Sequence, residues 1–247
     1  MVGGADGVLV RKLASIAALS TEEKAAIAAL PMMVRDVAAR QDIAVIGDKP
    51  SHCCLVLTGF AFRYKLVGDG RRQILAFHVP GDVPDLQSLH LTVLDHNLAA
   101  LTALTAGFIP HEAVHALNAR FPRVAGALWR NTLVDAAILR ERIVSIGQRE
   151  GLARTAHFLC EMFIRLRAVG LADEATMTLP ITQVELADAL GLSFVHINRM
   201  LKELRERKLV TLQNQAVLVV NWKALADLGD FEPDYLHLDT ADRPAPP

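Results

Sequence analysis

The sequence predicts an α+β fold: an N-terminal antiparallel β-roll, a long central helix and a C-terminal winged helix-turn-helix. Three patterns predict it. Between about residues 37 and 108, short β-rich runs alternate with turn signals and no helix separates them. From about 111 to 169, apolar residues recur at helical spacing. From Ile181 onward, two short helical patterns flank a glycine and lead into two β-branched runs.

Composition bounds the reading. Hydrophobic residues make up 52% and charged residues 21% of the 247, as in a folded globular protein. The net charge of −1 gives no global basic signal, so any nucleic-acid contact must come from a local patch. The apolar runs are short and interrupted by charges or turn residues, so none reads as a membrane span. The first residues lack the charged start, apolar core and cleavage site of a signal peptide. Cys53, Cys54 and Cys160 form no CxxC pair. They fit a reduced, cytoplasmic setting and exclude a four-thiolate iron–sulfur cluster within one chain.

The elements follow in order. Residues 9–30 read as short helices, with Ser20 or Thr21 capping "TEEKAAIAAL" and Glu22 and Glu23 in its first turn. In the β-rich region, "VGDG" between "FAFRYKL" and "RQILAFHV" is a hairpin turn. "HEAVHALNARF" is a helix ending near Pro122. "RVAGALWRNTLVDAAILRERIVSIGQ" is a long one, apolar on more than one face, as expected of a helix packed between the roll and a second copy of itself, the alternative being burial inside a single large core. "LARTAHFLCEMFIRLRAVG" is a further amphipathic helix stopped by Gly170. The expected division is a sensor domain over 1–120, the long helix over 121–148, the winged helix-turn-helix over 149–233 and a flexible tail over 234–247.

In "ITQVELADALGLSFVHINRMLKELRERKLV", Thr182 and Glu185 form a capping box, Gly191 permits the turn and Ser193 caps the second helix. Ala187 lets the two helices approach, and Ile197 and Met200 anchor the second on the first. At about 100° per residue, Ile197, Met200, Leu201 and Leu204 share one side, and Val195, His196, Arg199 and Lys202 the other. That outward side suits a DNA major groove. Arg199 can donate two hydrogen bonds to guanine, and Val195 can touch a thymine methyl. His196 and Lys202 can meet phosphates or base edges. Thr182, Gln183 and Ser193 lie at helix N-termini, where phosphates are favoured. Phe194 stands at the edge of the face. "KLVTLQNQAVLVVN" reads as the wing, turning at Asn214 and Gln215.

In this order of parts the chain resembles the Crp/Fnr family of bacterial transcription regulators. "ITQVELADALGLS…INRMLKEL" is similar to the family's DNA-reading segment, and "LVLTGFAFRY" and "VGDGRRQILAFHVPGD" to its cyclic-nucleotide-type roll. The resemblance covers nearly the whole chain. It implies a homodimer joined through the long helix, about 122–147, with Leu128, Thr132, Asp135, Leu139, Arg142 and Ile146 at the interface. It implies double-stranded DNA as partner, RNA polymerase as a candidate further partner, and no membrane. A small effector would sit at Asp85, Leu86, Ser88, His96, Asn97, Leu139 and Arg140.

The chain departs from the family in two places. Arg199 falls at the base-reading arginine, but Phe194 and Val195 stand where nucleotide-sensing members carry Arg and Glu, so the preferred half-site differs. Cyclic-AMP binders carry a Gly-Glu-Leu triplet and then an Arg-Ser/Thr-Ala triplet. Here Pro84-Asp85-Leu86 holds the first place, Asp95, His96 and Asn97 surround the second, and the phosphate-pairing arginine is missing. Cyclic AMP is therefore not the expected ligand, and no cofactor is evident. His78, His90 and His96 are lone histidines, more often hydrogen-bonded than haem-ligating. Cys53 and Cys54 read as buried strand thiols before redox sensors. The sequence contains no GxxxxGK, HExxH or GxSxG motif, so no enzymatic activity is expected. The alternative is an effector-binding module acting mainly through a protein partner.

Overall fold

The computed structural model describes residues 6–238; residues 239–247 of the expected tail lie outside the described residues. The chain separates into two compact units. Among the described residues, one holds 6–69 together with Leu75–Asp135, the other Gly70–Ile74 together with 136–238.

The first unit opens with α1 (Asp6–Ala14) and α2 (Thr21–Ala28). Ser20 caps α2 by accepting from the Glu23 amide at 3.2 Å, while the Glu23 carboxylate accepts from the Ser20 amide at 2.7 Å. The roll comprises β1 (Met33–Val37), β2 (Asp42–Ala44), β3 (His52–Thr58), β4 (Ala61–Leu66), β5 (Arg72–His78), β6 (Asn97–Ala100) and β7 (Leu104–Pro110). Its sheets run β1-β7-β3 and β2-β6-β4-β5. The period-two alternation turns Cys54 and Val56 of β3, Ala61 of β4, Leu98 and Ala100 of β6 and Ala106 of β7 into one buried cluster. β3 is buried at five successive residues because its other face is covered too. Around Cys53 stand Leu13 of α1, Ile27 of α2, Leu117 of α3 (His111–Arg120) and Leu128 of α4 (Pro122–Gln148). Pro122 at the first position of α4 has no intrahelical partner to lose.

The second unit takes the C-terminal half of α4, then α5 (Gly151–Ala168), β8 (Thr176–Thr178), α6 (Gln183–Leu190), α7 (Phe194–Glu206), β9 (Val210–Gln213), β10 (Ala216–Val219) and α8 (Trp222–Gly229). A 3-10 turn follows over Pro233–Leu236. The sequence pattern predicts an amphipathic α5, but twelve successive residues, Thr155–Leu166, are buried. The charged ones are tolerated because they pair with each other: Glu161 accepts from Arg142 at 3.1 Å and from Arg165 at 3.3 Å. The tail expected to fray from residue 234 is packed where it is described. Leu236 is buried, and the Tyr235 hydroxyl donates to Glu161 at 3.2 Å.

Candidate nucleic-acid interface

The Thr182 hydroxyl accepts from the Glu185 amide at 3.3 Å and donates to its carboxylate at 2.8 Å, which also takes the Thr182 amide. Two of the free donors at the start of α6 are thus satisfied. Gly191 closes α6 in the left-handed region, φ +63°, where a side chain would be strained. Ser193 then caps α7, accepting from the His196 amide at 3.2 Å. Leu186, Ala187 and Leu190 pack beneath Ile197, Met200, Leu201 and Leu204, all buried. These contacts fix α7 on α6.

The exposed side of α7 carries Phe194, Val195, Arg199 and Lys202, and Val195 is 76% exposed. Arg199 has no hydrogen-bond or ion-pair partner among the described residues, so its five donors face outward. Lys202 is held 3.6 Å from Glu206, which offsets part of its charge. His196 departs from the sequence expectation. It lies about 90° from the centre of the buried stripe, is half-buried, and its Nε2 sits 2.9 Å from where a Cβ on Gly151 would be. That ring packs on the start of α5 and does not share the Arg199 face. Asn198, which sequence reasoning passed over, is the half-buried neighbour of this face; its amide is turned back to the Phe194 carbonyl at 3.2 Å. Its i+3 and i+4 relations to Val195 and Phe194 and to Lys202 were the available signal.

Thr182 and Gln183 border a cavity of about 260 Å³ with Leu201, Asn214 and Gln215, so the start of α6 and the wing turn share one rim. Asn214 and Gln215 have φ of +49° and +67°, and Gln213 pairs with Ala216 across them. This is a two-residue turn with both central residues left-handed, the form whose twist matches the strands.

In the roll, Asp85 is buried and its Oδ1 accepts from the Cys54 amide at 2.7 Å. Burial pushes its carboxyl up to about 7, against the pull of the Cys54 bond and of Arg63. Arg63 is buried too, and its guanidinium donates to the Pro84 carbonyl. Sequence reasoning missed it, although alternation from Ala61 along β4 puts it on the inner face. His96 pairs with Asp95 at 2.7 Å, Asn97 accepts from the Ile46 amide at 3.0 Å, and Ser88 lies 3.0 Å from His111 Nε2. Leu86 is buried, while Leu139 is half-buried and Arg140 exposed on the second half of α4. Burial raises the Cys53 thiol to about 12 and also raises Cys54 and Cys160, so none carries thiolate at neutral pH. No group of three or more His, Cys, Asp or Glu among the described residues could hold a metal ion.

Two family models match this chain: a Crp-like helix-turn-helix domain over residues 153–228 and a cyclic nucleotide-binding domain over 34–121, together more than half of it. The chain belongs to the Crp/Fnr family. Among its Crp/Fnr relatives is the nitrogen fixation regulation protein FixK of Rhizobium meliloti, 26% identical over 74% of this chain and 81% of that protein. The transcriptional activator protein FnrL of Cereibacter sphaeroides is 25% identical over 79% of this chain and 80% of its own length. The structure of FixK2 from Bradyrhizobium japonicum superposes with a TM-score of 0.74 at 26% identity, covering 81% of this chain and 98% of that one. The order of a roll, a long helix and a helix-turn-helix is therefore the Crp/Fnr order. No helix among the described residues is long and apolar enough to cross a membrane.

Proposed function

We propose that the chain is a dimeric, sequence-specific DNA-binding transcription regulator acting in the cytoplasm, reading DNA through α7. The observation that carries this is Arg199, exposed and without a partner among the described residues, on the outer side of a capped, well-packed second helix. Phe194, Val195 and Lys202 extend the reading face, and Thr182, Gln183 and Ser193 offer helix N-termini to phosphates. Support for a dimer comes from α4. Trp129, Leu133 and Ile143 share one face and are 62%, 47% and 71% exposed, an apolar stripe that a second copy of the helix would cover. Thr132, Asp135, Leu139 and Ile146 flank it. Leu128 and Arg142 are buried within their own chain, so on this reading Trp129 and Ile143 take their places at the interface. The activator name of the Cereibacter relative supports RNA polymerase as a further partner.

On this reading cyclic AMP is not the signal. A cyclic phosphate would meet no arginine at the second triplet, and Arg63 is committed to Pro84 beside buried Asp85. Control falls to another small molecule in the roll or to no effector. The test is Arg199→Ala, with binding followed by fluorescence anisotropy on DNA from upstream of the chain's own gene. Specific affinity should fall by about 1–3 kcal/mol, with binding to random DNA reduced far less. Equal affinity for the upstream DNA would mean that this face reads something other than bases.

A further inference from the structure

α4 ends at Gln148 and α5 begins at Gly151, so Arg149 and Glu150 make the joint between the long helix and the reading head. Arg154, in the first turn of α5, spans this joint. Its Nη2 donates to the Ile146 carbonyl at 2.8 Å and to the Arg149 carbonyl at 2.9 Å. Its Nη1 donates to the Leu190 carbonyl at 2.7 Å, at the end of α6. One planar cation thus satisfies open carbonyls at the C-terminal ends of α4 and α6 and at the bend between α4 and α5, where positive charge is also favoured. Arg149 adds a second tie, donating to Glu141 on α4 at 2.6 Å and to Asp230 Oδ2 at 3.1 Å. A third is the pair from Arg142 of α4 to Glu161 of α5, closed by Tyr235.

We propose that Arg154 is a positioning residue for DNA reading: it sets the angle of the α6–α7 head on α4 from within the chain. This rests on the reading of the chain as a dimeric DNA reader. In a dimer the second head binds its half-site intramolecularly, and the gain depends on how well the heads are held at the required separation. Loosening the joint therefore lowers affinity for two half-sites while leaving a single head able to read one. Lysine at 154 keeps the charge but, as a point charge, cannot hold the three carbonyls in one planar fork.

The experiment compares Arg154→Lys and Arg154→Gln with the parent. Each is titrated by anisotropy, at fixed salt, against a two-half-site duplex selected by the parent from random DNA and the same duplex with one half scrambled. Thermal melts report folding. The expected result is a loss of about tenfold or more on the full site, with half-site affinity within about threefold of the parent. Equal losses on both duplexes, or no loss on either, would overturn the positioning role; Arg154→Lys decides the matter if Arg154→Gln melts early. A parent that selects no sequence from the pool would remove the DNA-reading proposal and this one together, which separates that failure from a failure of the joint.

Discussion

Burial raises the Asp85 carboxyl to about 7 while its Oδ1 still accepts the Cys54 amide, so the folded chain keeps the protonated acid to a higher pH than the unfolded chain does. A folded pKa above the unfolded value contributes stability that is complete below about 4 and lost as pH rises through 7. At about 1.4 kcal/mol per unit, the whole effect is at most about 4 kcal/mol. Asp85→Asn keeps an acceptor for Cys54 and removes the titration. Denaturant melts from pH 5 to 8 should show the variant gaining on the parent as pH rises. Comparing the two cancels the buried histidines His78, His96 and His157, all held low by burial. A constant difference across that range would show that Asp85 is ionised in the fold. At this scale the Thr182–Glu185 cap was legible, because it depends only on spacing, while the choice of Ser20 over Thr21 as the cap of α2 came from the structure. The inward side of Arg63 was legible from alternation along β4, but its partner Pro84 was not, and the place of His196 is decided by the neighbouring α5.

The wing turn shows what an element tolerates. Asn is at ease in the left-handed region, but Gln215 at φ +67° has a Cβ that crowds its own carbonyl. Asn-Gly is the preferred pair for this turn. Gln215→Gly should stabilise the chain by about 1 kcal/mol, read as a higher midpoint in denaturant with unchanged slope; a lower midpoint would mean that the glutamine side chain contributes more than its backbone costs. The hairpin was legible from two β-branched runs around Asn214 and Gln215. The burial of α5 was not, since its charges read as a solvated face until Arg142 and Tyr235, distant in sequence, are seen to meet Glu161. The 3-10 turn at Pro233–Leu236 was missed for a similar reason: Phe231, Tyr235 and Leu236 are too few to read as an element and are fixed by α5. Tyr235 stacks on His157, with ring centres 5.8 Å apart.

At the level of the whole chain, the order of roll, long helix and winged head was readable because each part has its own periodicity. Whether a ligand enters the roll was not, because a ligand site in a roll is set by a few inward side chains and not by the pattern that builds the strands. In the roll, buried Arg63 is held by Pro84 and buried Asp85 by Cys54, while buried His96 turns to the exposed Asp95. On the proposed reading, the head is held by the joint at Arg154 and needs no cyclic nucleotide. The most direct measurement is an anisotropy titration of the parent protein on a labelled duplex from upstream of its own gene. It is run at fixed salt with excess random duplex, with and without cyclic AMP, because non-specific affinity follows salt steeply. The account predicts a dissociation constant of about 10 nM or tighter that survives the competitor and ignores the nucleotide. Binding that the random duplex abolishes, or that appears only with cyclic AMP, would contradict it.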